Sequence, residues 1–182
     1  MKHRTSAYLA AAWAIIFAAP HVYWATGRKD GLGTALSNRV VDHAGGASMA
    51  ISCAGIALFC LAGAATALGT LRPWPTALQR WAHRVLVVLT WFGAVLLTLR
   101  CIDIFVEFNL VLTGVEHLPA GQHANFLHLA RWFMFCYLPW FALGATAWLR
   151  LAWTYSHAAS PARSPRTNRA SAPSTATEML PH

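Results

Sequence analysis

Four apolar stretches divide the chain, at about residues 7–26, 47–70, 85–108 and 131–155, and polar residues gather between them. Each is close to the ~20 residues that an α-helix needs to cross ~30 Å of hydrocarbon. The pattern predicts an all-α polytopic membrane protein, with a four-transmembrane-helix bundle over residues 1–156 and a disordered C-terminal tail over 157–182. The third stretch differs from the others. Its uncharged run, residues 85–99, is too short to span, so the helix has to continue through Arg100, Asp103 and Glu107. The first stretch follows Lys2 and Arg4 and so has the layout of a secretory signal peptide. Cleavage after Ala19 would put Phe17 where a small residue is needed and Pro20 just beyond the cut, so an uncleaved helix is expected.

Spacing within the stretches predicts how they pack. In the second, Gly46, Ala50, Cys53, Ala57, Cys60, Ala64 and Ala67 recur every three or four residues on one face. Small faces let helix backbones approach closely where no hydrophobic effect drives association. This stripe suits packing against the other spans, and it suits a homo-oligomer equally well. Pro20 and Pro139 each lack an N–H and free the carbonyl four residues earlier, at Ile16 and Phe135, which predicts bends in the first and fourth helices. Trp24, Trp74, Trp81, Trp132, Trp148 and Trp153 fall near span ends and read as interfacial anchors. Trp13, Trp91 and Trp140 lie deeper, and their indole N–H groups need partners, which makes them candidates to line a cavity.

Composition agrees with lipid as the solvent: 57% of residues are hydrophobic and 11% charged, against about 25% charged in soluble domains. The net charge of +8 is scattered over helix ends and tail rather than grouped with aromatics, so the partner it implies is the lipid bilayer and not nucleic acid. Lys2, Arg4, Arg72, Arg80, Arg84, Arg150 and the tail arginines fall on one side, whereas residues 109–127 hold neither Lys nor Arg. The excess of cations in cytoplasmic loops then predicts a plasma-membrane protein with both termini cytoplasmic. Arg28, Lys29 and Arg39 in the first outer loop run against this assignment. No C-x-x-C occurs among the four cysteines, so Cys53, Cys60, Cys101 and Cys136 read as small packing residues.

The outer ends of the spans carry the candidate chemistry. With Arg84 at the inner boundary, a rise of ~1.5 Å per residue places Arg100 roughly 6 Å below the outer boundary of a ~30 Å slab. Asp103 and Glu107 follow on the same helix face, and Asp103 can pair with Arg100. His21, Asp42, His43, His128 and Arg131 come to a similar depth from the other helices, and Glu116, His117 and His123 lie in the outer loop. Ionisable groups at that depth cost a few kcal/mol each unless paired or hydrated. A ligand site is therefore expected at His21, Arg100, Asp103, Glu107 and Arg131, walled by Trp24 and Trp140. The competing account is a hydrogen-bonded ring that ties the helix ends together. The spacing of His117, His123 and His128 matches no metal-ligand pattern, and only His21 lies inside a span, so neither metal nor haem is implied.

The blocks HVYWATGRKDGLG and RWFMFCYLPWFALGATAW resemble domain of unknown function 3995, a bacterial family of small four-helix membrane proteins. In its first block, H-x-Y-W-A-x-G, His21, Tyr23, Trp24, Ala25 and Gly27 match. In its second, P-W-F-x-L-G, Pro139, Trp140, Phe141, Leu143 and Gly144 match. The family usually has a second glycine where this chain has Arg28. The resemblance implies fold and membrane location, not activity.

Three functions compete. Arg100 and Arg131 could hold the anionic group of a small amphipathic molecule or lipid, with Asp103 and Glu107 orienting them and His21 supplying a hydrogen bond. His21 and Glu107 could act as acid and base in a membrane-embedded enzyme, which requires them to converge on one point. The bundle could also be a structural accessory that oligomerises through its second helix.

Overall fold

A computed structural model of the chain describes residues 2–34, 46–115 and 123–158. Its elements are α1 (Lys2–Ala25), a short 3-10 turn (Leu32–Thr34), α2 (Gly46–Gly69), α3 (Thr76–Leu112), α4 (His123–Trp132), a π-helical turn (Phe133–Tyr137) and α5 (Leu138–Ala158). There is no strand among the described residues. The chain is an all-α bundle with four helical spans long and apolar enough to cross a membrane, the last made of α4, the π turn and α5. Asp42, His43, Glu116, His117, Arg39 and the tail beyond residue 158 lie outside the described residues, as does the side chain of His123.

Large apolar side chains face outward all round the bundle, as they do where the surroundings are lipid. Phe135 is 77% exposed, and Val88, Leu58 and Leu143 also point away from the core. Lipid offers no hydrogen-bond partners, so polar groups are stabilised by finding partners within the protein. Thr66, Thr98, Thr146 and Thr154 do so locally, each donating its hydroxyl to the carbonyl four residues earlier.

Packing follows the small residues. Cys53, Ala57, Cys60, Ala64 and Ala67 are the buried face of α2, and α2 packs most extensively on α1, whose own buried positions include Ala7, Ala11, Ala14 and Ala18. The stripe read from sequence is thus used within the chain, small residue against small residue. In turn α1 also packs on α5, and α5 on α3. The four spans form a curved series, α2, α1, α5, α3, with few contacts between α2 and α3 at its two free edges.

Two spans differ from their expected limits. At 37 residues α3 is far longer than the expected 85–108; at ~1.5 Å per residue it exceeds even the ~40–45 Å of a bilayer with its headgroups. It starts just after Pro75, a residue well suited to a helix N-terminus. It stops in a Schellman motif, where Val115 N–H donates to the Leu110 carbonyl (3.1 Å) and Gly114 N–H to Val111 (3.2 Å), with Gly114 at φ +73°. In the fourth span, the bend expected from Pro139 takes the form of the π turn, in which Leu138 N–H donates to the carbonyl of Phe133, five residues back. The extra residue absorbs the ladder bond that proline cannot make.

Candidate functional site

The curved series encloses a cleft of about 1260 Å³, with α1 and α5 as its back, α2 and α3 as its sides and the π turn beside the end nearest the C-terminus of α1. Its walls are overwhelmingly apolar. Polar groups concentrate toward the end of the cleft lined by the C-terminal part of α1, the N-terminal part of α2 and Arg100 of α3, at His21, Ser48, Ser52 and Arg100, and Cys136 and Tyr137 of the π turn also line it.

Of the residues expected at the ligand site, His21, Trp24, Arg100 and Trp140 line this cleft, and the deep Trp13 lines it with them. Asp103, Glu107 and Arg131 are exposed and are not among its lining residues. Asp103 still touches the site indirectly, through an ion pair with Arg100 Nη1. His21 and Glu107, the acid–base pair considered above, do not share the cavity. Among the described residues no three His, Cys, Asp or Glu side chains converge as metal ligands.

His21 is oriented by its own helix. Its Nδ1 lies 2.9 Å from the Phe17 carbonyl. A carbonyl can only accept, so Nδ1 carries the proton and the lone pair of the neutral ring sits on Nε2. The ring is bracketed by Phe17 (4.8 Å between centroids) and Trp24 (5.3 Å, edge-on). The arrangement leaves a hydrogen-bond acceptor in an aromatic setting beside the cleft.

The end of α1 is built by the residues of the first resembling block. Gly27, at φ +87°, ends the helix and turns the chain back. Tyr23 then donates its hydroxyl to Asp30 Oδ2 (2.6 Å), and Trp24 Nε1–H donates to the Asp30 carbonyl (2.9 Å). Arg28 lies over the Tyr23 ring, 6.0 Å from its centroid, so the position where a second glycine is usual here supports the turn with a cation. Leu32, carried back by this turn, is buried against Trp24 and Cys53. Trp24 is therefore an internal wall, not the surface anchor its position suggests. Trp24→Phe should lower stability by about 1 kcal/mol, the net value of one such hydrogen bond, read as a small drop in the thermal midpoint by circular dichroism in detergent.

The second block seats Trp13. Its indole lies on Gly144, stacks with Phe17 (5.3 Å) and Trp140 (6.0 Å), and donates Nε1–H to the Trp140 carbonyl at 2.9 Å. Trp91, the other deep tryptophan, faces away from the cleft and donates to Ser156 Oγ at 3.1 Å. Trp148, expected at the interface, is only 4% exposed. Its benzo ring wedges between Gly63 of α2 and Gly93 of α3 and closes the end of the cleft opposite Arg100. Trp81 and Trp153 do face outward, as interfacial anchors should.

The profile of a family described as a protein of unknown function, DUF3995, matches residues 14–148. The chain belongs to the DUF3995 family. No curated protein and no solved structure matches it. The DUF3995 match takes in both blocks, and with them three of the four cleft-lining residues expected at the ligand site, close to one another in the chain's two back helices: His21 and Trp24 on α1, and Trp140 on α5. It also takes in Arg100, and it ends at Trp148, the floor. Trp13 lines the cleft, as its depth suggested, whereas Trp91 does not; sequence reasoning missed Trp148 and the π turn as parts of the site. The available signal for Trp148 was a mid-helix glycine, Gly93, the seat of its indole.

Proposed function

We propose that this DUF3995 protein is a multi-pass plasma-membrane protein that holds an amphipathic molecule in its cleft. The observation that carries this reading is the cleft's polarity: a large apolar volume whose charged lining residue, Arg100, stands with His21, Ser48 and Ser52 toward one end. Arg100 binds the polar end of the guest. Asp103 fixes the guanidinium through Nη1, and the five N–H donors of an arginine leave others to address a phosphate or carboxylate. His21 accepts a hydrogen bond at Nε2, and Trp24 and Trp140 contact the apolar part. Glu107 and Arg131 shape the field at the mouth from the surface. Arg72, Arg80, Arg84 and Arg150 at the opposite helix ends support a cytoplasmic inner face with both termini inside.

Native mass spectrometry of the detergent-purified protein tests the reading. A defined adduct is expected on the wild type, strongly reduced in Arg100→Ala and weakened in His21→Ala. Absence of any adduct from a folded wild type, or an adduct unchanged in Arg100→Ala, would overturn it.

A further inference from the structure

The two edges of the cleft differ from its back in a way that identifies the guest and its route. At the inner end α2 and α3 are held together, by Leu86 against Gly69 and by the Trp148 ring between Gly63 and Gly93. Toward the outer end nothing comparable joins them among the described residues. Phe59 of α2 and Phe92 of α3 line the cavity and yet remain 55% and 54% exposed, and Ile56 and Leu96 repeat the pattern one turn away. A residue that both lines a cavity and is half exposed marks a wall that is open. The cleft is a wedge with its apex at Trp148, open sideways between two apolar helix edges that face hydrocarbon.

Resting on the reading above, we infer that the guest is a glycerophospholipid that slides in from the bilayer between α2 and α3, with one acyl chain running down to Trp148 and its phosphate at Arg100. Three observations select this occupant. The volume, about 1260 Å³, exceeds the ~300–1,000 Å³ of pockets for drug-sized ligands. The sideways opening is edged mainly by apolar residues, with the Ser52 hydroxyl turned back onto the Ser48 carbonyl, a route suited to a chain already dissolved in the membrane. At the polar end stands an arginine, whose planar fork matches phosphate oxygens in two-point contact. The second acyl chain stays outside, among the bilayer lipids against Phe59 and Phe92.

The test uses the full chain reconstituted in vesicles of phosphatidylethanolamine and phosphatidylglycerol that contain a phosphatidylglycerol with a diazirine near the end of one acyl chain. The protein is extracted into detergent, purified, and only then irradiated, so that loosely associated lipid is gone before labelling. The expected label falls on Phe59, Phe92 and Trp148 and spares Val88 and Leu143, which are exposed outside the cleft. Ser52→Trp, an exposed position on the cleft side of α2, should reduce the label several-fold without changing the melt; Ile56→Trp is the second variant if the first is unstable. Label spread evenly over Val88 and Leu143, or unchanged by both tryptophans, overturns the inference. Loss of all label while an Arg100-dependent adduct of another chemical class persists in native mass spectrometry overturns the phospholipid and leaves the binding reading standing. Loss of both label and adduct removes the two together.

Discussion

Replacing Trp13 by alanine should destabilise the bundle by about 2–3 kcal/mol. In water such a truncation loses a transfer term and a cavity term, but in lipid the transfer term is small. What is left is roughly 24 cal/mol for each Å³ of cavity, and removing an indole opens on the order of 100 Å³. The 2.9 Å hydrogen bond to the Trp140 carbonyl is lost as well. The converse substitution, Gly144→Ala, presses a methyl into the same ring: a Cβ built there lies 2.7 Å from Trp13 Cζ2 and closer still to Cε2. The indole is held between Phe17 and Trp140 and cannot retreat, so overpacking should cost about 1–3 kcal/mol. The double variant decides whether the two share one cause. In a Trp13→Ala background, Gly144→Ala should cost almost nothing, because the ring it strikes has gone. Thermal melts of the four proteins in one detergent measure this, and simple additivity would refute the account.

The same pair shows why part of this architecture can be read from sequence and part cannot. Apolar runs near twenty residues report spanning helices because lipid forces the backbone to bond to itself, and that constraint acts on every residue of the run. The α2 stripe reports a packing face for a similar reason, since close approach requires small residues throughout. Charge depth along α3 brings Arg100 to the cleft, where it is paired with Asp103. Asp103, Glu107 and Arg131 are exposed and do not line the cleft: Asp103 and Glu107 share the Arg100 face but lie roughly 4 and 10 Å further along the helix, and depth alone does not fix the rotation that would turn Arg131 inward. For Trp148 the expectation failed in the opposite sense. Its place near a span end suggested an interface, but Gly63 and Gly93 on two other helices leave room for its ring in the interior. That vacancy belongs to three helices at once and is invisible in any one of them. The length of α3 was missed because nothing ends a helix at the membrane boundary; it runs until Gly114 supplies a stop.

The largest effect on the cleft itself is expected at its apex. Trp148→Ala should cost about 2–3 kcal/mol by the same cavity arithmetic, and it has a second consequence that Trp13→Ala lacks. The Trp148 ring is the body that touches both α2 and α3, so its removal lets the two edges part and extends the cleft inward. Gly93→Ala attacks the contact from the other side, with a built Cβ 2.6 Å from Trp148 Cε3, whereas at Gly63 the nearest ring atom is 3.3 Å away and at Gly55 nothing lies within 4 Å. Thermal stability should therefore fall steeply for Gly93→Ala and slightly for Gly63→Ala, and should be unchanged or raised for Gly55→Ala, where alanine's helix propensity, worth up to about 1 kcal/mol over glycine, acts without opposition. Trp148→Phe sharpens the contrast. The buried Trp148 Nε1–H has no hydrogen-bond partner among the described residues, so phenylalanine removes an unsatisfied donor and should be tolerated far better than Trp13→Phe, which gives up a bond that is made. If Gly93→Ala and Gly55→Ala melt together, the indole does not sit between α2 and α3, and the wedge that closes the cleft has to be sought elsewhere.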